Sequence, residues 1–196
     1  VIGAHSGIYL QDLIKKNNNK KILLVEPVPY NYETLEKNYK NNKNIQICKN
    51  GILNEKKTDN FFYVKKDSLA ELGKHWATGI GSFDKIHILN HKSKRFKIEE
   101  KHIERIEVEF ITFEDLIKKF LIRSIEMLQL DVEGAEYKIM KSISYEKIEI
   151  NQILFEAKHL DGTFEEGDKL EEIKDILLSN NYKIKQIDKE NILAFK

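Results

Sequence analysis

Short apolar runs alternate along this chain with amphipathic stretches, a pattern that favours βα units feeding a sheet. Apolar runs of strand length lie at residues 1–2, 21–26, 45–50, 125–131 and 152–156. Helical spacing of apolar positions follows at residues 8–16, 30–39, from 112 onward and at 165–178. We therefore predict an α/β fold with a mostly parallel sheet.

The last two strand candidates, residues 182–187 and 191–195, are joined by too few residues for a parallel crossover. They are expected to form an antiparallel hairpin. The single cysteine, Cys48, lies in an apolar run, so it predicts a small buried side chain and excludes an intramolecular disulfide or a cysteine-based zinc cluster.

The chain has 196 residues, and its 33 Lys and Arg nearly balance its 32 Asp and Glu, giving a net charge of +1. That length predicts a single domain over residues 1–196. The balance disfavours a dedicated nucleic-acid or membrane-surface protein. Apolar runs stay well below the ~18 residues of a membrane span, so a soluble, cytoplasmic protein is expected. Val1-Ile2 resembles the end of a strand, which favours a domain trimmed from a longer chain.

Residues 65–105 interrupt the βα rhythm and are predicted to be an inserted lid or substrate segment. Between positions 84 and 105 there are seven Lys and Arg residues and four acids. The alternative is that this charged stretch is only a solvated surface and has no functional role. His75 and Trp76 precede the Gly79-Ile-Gly81 pair and Ser82. An indole can stack on a sugar ring or simply anchor the loop, and the glycines would let the segment close over a substrate.

A glycine-rich turn, Val1-Ile-Gly-Ala-His-Ser-Gly7, leaves one apolar run and enters a helix. Glycines at positions 3 and 7 let the main chain pass close to a ligand. The dinucleotide fingerprint would need glycine at 3, 5 and 8, where this chain has Gly3, His5 and Ile8. A ligand without a pyrophosphate is therefore favoured.

Glu26 ends the apolar run of residues 22–25, directly before Pro27 and 19 residues after Gly7. In doubly wound folds, an acid at the end of the second strand, about 20 residues past the glycine turn, accepts hydrogen bonds from ribose hydroxyls. Glu26 is therefore the candidate ribose ligand.

Three acids follow the buried run that ends at Leu130, namely Asp131, Glu133 and Glu136. Open α/β sheets bind their ligands at the carboxyl ends of strands. Acids near a helix start also complement its dipole, which is the competing explanation for Glu136 and in part for Glu133.

The run at 153–155 ends in Glu156, and His159 follows three residues later. Histidine has the unperturbed pKa best suited to proton removal near neutrality. His159 is the first choice as general base and Asp131 the second, with Glu133 or Glu156 orienting. The same acids could instead hold Mg²⁺, a use that we do not favour.

Together these motifs resemble the FkbM family of methyltransferases, which act mainly on hydroxyls of sugars, polyketides and related products. The resemblance covers nearly the whole chain, including 25–32, 75–83, 130–136 and 155–160. It implies a Rossmann-like class I methyltransferase fold and S-adenosylmethionine over the glycine turn. Many relatives have Asp two residues before the first glycine, where this chain has Val1.

The resemblance implies an O-methyltransferase with a small-molecule or glycan acceptor. The implied cofactor-binding residues are Gly3, Ala4, His5, Ser6, Gly7, Glu26, Pro27, Asn50, Gly51 and Asp131. The implied substrate-binding residues are His75, Trp76, Ser82 and Glu136, and the catalytic ones His159, Asp131, Glu133 and Glu156. A nucleic-acid methyltransferase, a dinucleotide oxidoreductase and a non-catalytic cofactor-binding module remain open.

Overall fold

The computed structural model describes residues 1–73, 75–93, 96–158, 160–161 and 167–196, and at residues 75, 76, 92, 93 and 96 the main chain alone. The chain divides into two compact units. The first combines Val1–Gly51 with Thr58–Glu109, and the second combines Ile52–Lys57 with Phe110–Lys196. Both contain helices and strands. The single-domain organisation expected from the sequence stays a prediction.

The elements follow in chain order. The strands are β1 (Ile22–Val25), β2 (Ile45–Cys48), β3 (Gly51–Leu53), β4 (Lys57–Val64), β5 (Gly81–Ser82), β6 (Lys92–Ser93), β7 (Phe96–Lys97), β8 (Ile103–Thr112), β9 (Ser124–Leu130), β10 (Glu149–Glu156), β11 (Lys183–Gln186) and β12 (Asn191–Phe195). The α-helices are α1 (Gln11–Lys16), α2 (Pro29–Tyr39), α3 (Leu69–Leu72), α4 (Lys85–Asn90), α5 (Phe113–Lys119), α6 (Glu136–Ser142) and α7 (Asp168–Ser179). Short 3-10 helices span Ile8–Leu10, Lys66–Ser68, His75–Gly79 and Glu100–His102.

In the first unit, β1 and β2 pair in parallel from Ile22↔Ile45 to Val25↔Cys48. These strands confirm the predictions at 21–26 and 45–50, whereas residues 1–2 contribute a single parallel bridge at Ile2. Helix α2 begins at Pro29, whose missing N–H costs nothing in a first helical turn. Its fully buried Leu35 packs in one core cluster with Leu24 of β1.

The segment at 65–105 has a core of its own within the first unit. Val64, Ile80, Ile88 and Ile98 are buried together there. Strands β8, β4 and β5 are neighbours in that order, and β4 pairs antiparallel with β5. Strands β4 and β8 are additions to the elements predicted from the sequence.

The second unit contains a sheet in the order β11-β12-β10-β9. Strands β9 and β10 are parallel, while β12 runs antiparallel to both β10 and β11. The predicted closing hairpin is therefore confirmed. Helix α7 packs on α6 and β11, and its side chains Ile173 and Leu177 are fully buried.

The described sheets mix parallel and antiparallel pairings, whereas the sequence analysis predicts a mostly parallel sheet. The difference arises because residues 65–105, predicted to be an inserted lid or substrate segment, contain β5, β6 and β7. Strand β5 pairs antiparallel with β4, and β6 pairs antiparallel with β7. Mixed α/β content is confirmed. Among the described helices, none has the length and apolarity that a membrane crossing requires.

Candidate functional site

The glycine-rich turn of the first unit is built from left-handed main-chain conformations. Gly3, His5 and Gly7 have φ angles of 87°, 51° and 77°. The amides of Gly3 and Ala4 both donate to the carbonyl of Val25, each at 3.0 Å. The turn is therefore fixed at the end of β1, and His5 adopts a conformation that residues other than glycine seldom take.

Gly7 also serves packing. A Cβ atom at this position would lie 2.9 Å from Leu35 Cδ2 and 3.0 Å from Tyr39 Cε2 of α2. The missing side chain thus lets the turn and α2 approach each other. Gly7 would be required here even without a ligand.

Glu26 follows β1 directly and is 5% exposed. Its Oε2 accepts a hydrogen bond from the His5 amide at 2.8 Å, and its Oε1 accepts one from the Val28 amide at 2.9 Å. The carboxylate therefore ties the glycine turn to the start of α2.

The turn is also connected to the 3-10 helix His75–Gly79. His5 Nε2 lies 2.7 Å from Thr78 Oγ1. The Thr78 carbonyl accepts hydrogen bonds from Asn31 Nδ2 at 2.9 Å and from the Tyr30 hydroxyl at 3.3 Å. Thr78 and Asn31 could not be predicted from the sequence, because an isolated polar residue gives no signal until its partners are known.

Other predicted cofactor ligands of the first unit are mostly buried in the protein itself. Asn50 is 4% exposed, and its Nδ2 donates to the Glu109 carbonyl at 3.1 Å and to Glu109 Oε2 at 3.0 Å. Gly51 begins β3 and is buried, whereas Ser6 and Pro27 are half-buried. Ser82, a predicted substrate ligand, is buried in β5, where its Oγ accepts from the Asp84 amide at 3.2 Å.

In the second unit, β9 ends at Leu130 and is followed by a tight turn. Glu133 and Gly134 have φ angles of 55° and 103°. The Glu136 carboxylate is fully buried and accepts hydrogen bonds from the amides of Val132 at 2.6 Å and Gly134 at 2.9 Å. Glu136 therefore holds this turn, and its contact with substrate stays a prediction.

The second unit brings three acids together at its strand ends. Carboxylate oxygens of Asp131, Glu136 and Glu156 lie within 4.8 Å of one another. Oxygen ligands of this kind suit Mg²⁺ or Ca²⁺, so these are the described side chains of this unit best placed to hold a cation. Glu133, between them in the chain, is half-buried.

Removal from water and mutual repulsion raise the pKa of each carboxyl in this cluster. Desolvation raises the pKa of Asp131 to about 6, and the negative charges of Glu133 and Glu190 add to the rise. Desolvation likewise raises the pKa of Glu136 to about 8 and of Glu156 to about 9, with further contributions from the neighbouring acids. Near pH 7 these pKa shifts favour an ionised form of the solvent-exposed Asp131 and a protonated form of Glu156.

Three predicted site residues lie beyond these observations. His159, the first choice as base, is outside the described residues, as are the side chains of His75 and Trp76. Their assigned roles stay predictions.

Comparison with known proteins assigns the chain to a family. The family model described as the methyltransferase FkbM domain matches residues 2–184. The chain belongs to the FkbM methyltransferase family. The resemblance predicted from the glycine turn, Glu26 and the 130–136 motif is therefore confirmed.

A solved structure supports the fold of this FkbM domain. The crystal structure of methyltransferase FkbM from Methylobacillus flagellatus KT matches it with a TM-score of 0.55 and 16% sequence identity. The alignment covers 100% of this FkbM domain and 42% of that chain, so the domain spans less than half the length of that protein. No curated protein matches the chain significantly.

Proposed function

We propose that this FkbM domain is an S-adenosylmethionine-dependent O-methyltransferase of the Rossmann-like class I fold. The observation that carries the proposal is the buried Glu26 carboxylate, held at a glycine turn by the amides of His5 and Val28. An acid presented at such a turn is suited to accept hydrogen bonds from ribose hydroxyls. Membership in the FkbM family supports the same reading.

The residues of the turn fit such a cofactor. Left-handed conformations at Gly3 and Gly7 bring main chain rather than side chains to the surface of the turn. When bound, the cofactor supplies an electrophilic methyl group. The first unit would hold it through residues 3–7 and Glu26, and Val1 offers no carboxylate to its amino-acid moiety.

The acceptor must lose its hydroxyl proton. Asp131 is an ionised carboxylate near neutrality with a pKa of about 6, which is close to the value that favours general-base catalysis. His159 remains the alternative base. Glu156, which holds a proton near pH 7, can donate a hydrogen bond to an acceptor oxygen.

The proposed acceptor is a hydroxyl of a sugar, a glycan or a related small molecule, and a nucleic acid is disfavoured. The basic segment that would favour RNA is partly neutralised by its own acids. Lys85 Nζ lies 2.8 Å from Glu100 Oε2, and Lys101 pairs with Glu71. Such exposed pairs reduce the net charge available to a phosphate backbone.

Transfer of a labelled methyl group from S-adenosylmethionine to a panel of acceptors tests this function. The panel contains monosaccharide glycosides, small phenols and RNA, each at low and high salt. We expect label on the hydroxyl compounds, independent of salt. Label on RNA alone, with a salt slope of several units, would overturn the proposed acceptor class. Binding without any transfer would favour a non-catalytic module.

A further inference from the structure

Two histidines lie side by side on the last turn of α4. His87 is 1% exposed, and His91, which caps the helix, is half-buried. Their Nε2 atoms are 3.2 Å apart. The ring centroids are 4.9 Å apart and the ring planes meet at 86°. The Nε2 atom of each ring therefore faces the Nε2 atom of the other ring.

The four-residue spacing explains the convergence. Residues i and i+4 of a helix lie on the same face, one turn apart. This spacing also places two histidines on one zinc ion in helical metal-binding motifs. The sequence His87-Ile-Leu-Asn-His91 thus forms a chelating pair without help from distant elements.

The distance between the nitrogens matches two ligands of one metal ion. Metal–nitrogen bonds of about 2.0–2.1 Å place adjacent ligands about 2.8 Å apart at a right angle and about 3.3 Å apart at the tetrahedral angle. The observed 3.2 Å falls inside this range. A single proton shared between the rings also fits this distance, and it is the alternative to be tested.

From this geometry we infer that His87 and His91 form a binding site for a divalent transition-metal ion of the Zn²⁺, Ni²⁺ or Cu²⁺ class. Neutral imidazole suits these ions better than it suits Mg²⁺ or Ca²⁺. Water would complete the coordination. The inference rests on these two histidines of the first unit alone, so it stands whether or not the proposed methyl transfer is correct.

Calorimetric titration of the full chain with Zn²⁺, after treatment with a chelator, measures the site directly. We expect one ion per chain. His91→Ala and His87→Gln should each lower the affinity at least about tenfold, because even an outer-shell partner of a metal ligand is worth about 10- to 100-fold. Asn90→Ala, an exposed position on the same helix, is the control and should not change the affinity.

The electron paramagnetic resonance spectrum of Cu²⁺ bound to the wild-type protein reports the ligands directly. This measurement needs no variant, so it tests the site even if His87→Gln fails to fold. Hyperfine coupling to two imidazole nitrogens is expected near pH 7. It should be absent from His91→Ala, which keeps only one of the two imidazole ligands. A spectrum with oxygen ligands alone, or Zn²⁺ affinity equal in the wild type and His91→Ala, would overturn the site and leave a hydrogen-bonded pair.

Discussion

Glu156 offers a direct test of how burial and charge repulsion act on the carboxyl groups of the second unit. In Glu156→Gln the side chain keeps its shape and cannot ionise. The pKa of Glu156 is raised to about 9 in the folded protein from an ordinary value of 4.5. The folded state therefore retains a proton that the unfolded chain releases, and the wild type loses stability as the pH rises from about 4.5 toward about 9.

The size of the effect follows from the shift. One pKa unit corresponds to 1.36 kcal/mol, and at pH 7 the retained proton lies 2.5 units above the ordinary pKa. That amounts to about 3 kcal/mol as an upper value, and neighbouring acids that take up protons relieve part of it. We expect Glu156→Gln to be more stable than the wild type by about 1–3 kcal/mol at pH 7 and equal to it near pH 4.5.

Urea unfolding at several pH values between 4.5 and 8.5 measures this difference as a free energy of unfolding. Glu149→Gln, an exposed position at the start of the same strand, is the matched control and should show no such trend. A stability difference that stays constant with pH, or a wild type more stable than Glu156→Gln at pH 8, would show that the folded state does not raise the pKa of Glu156.

The remaining predictions concern the turn and the reaction. Gly7→Ala should lower the free energy of unfolding in urea by about 2–4 kcal/mol, because a Cβ atom there is strained in the left-handed conformation and overpacks against α2. Gly73→Ala, which has open space around it, is the control and should lower it by only about 1–2 kcal/mol. Asp131→Asn should lower kcat about 10²-fold, and the rate should no longer fall at acid pH with a midpoint near pH 6. If the pH–rate profile is unchanged in this variant, His159 is the better candidate for the base. Glu26→Gln should weaken S-adenosylmethionine binding about tenfold or more in calorimetry, because a charge-assisted hydrogen bond is worth about 1.5–3 kcal/mol, while the exposed Glu33→Gln should leave it unchanged.

The elements with a clear apolar period could be predicted from the sequence. Strands β1, β2, β9, β10, β11 and β12 all lie at predicted positions. The start of α5 was also predictable, because Thr112 accepts a hydrogen bond from the Asp115 amide at 3.0 Å in a capping box. The apolar periodicity and the capping residues within each segment determine these elements.

Strands β4 and β8 were missed for different reasons. Residues 57–60 of β4 are Lys-Thr-Asp-Asn, which suggests a loop, and tertiary pairing overrides this tendency. The alternation of Ile106, Val108 and Phe110 with acids does signal β8, but it lies at the border of a charged segment.

The candidate site was predictable in its residues and not in their tasks. Strand-end acids can be read from the sequence, but whether an acid holds a ligand or its own turn depends on nearby amides. Glu136 bonds to the amides of Val132 and Gly134, and no pattern in the sequence indicates that choice. The pairing of His87 with His91 could have been found from their four-residue spacing.

Calorimetric titration of the wild-type chain with S-adenosylmethionine, S-adenosylhomocysteine and NAD shows whether this FkbM domain carries a methyl-donor site. We expect both methionine-derived compounds to bind at one shared site, each displacing the other, and we expect NAD not to bind. The broken glycine fingerprint at His5 and Ile8 is the reason for the second expectation. Binding of NAD, or no binding of either methionine-derived compound to the folded chain, would contradict the claim that this FkbM domain carries the methyl-donor site.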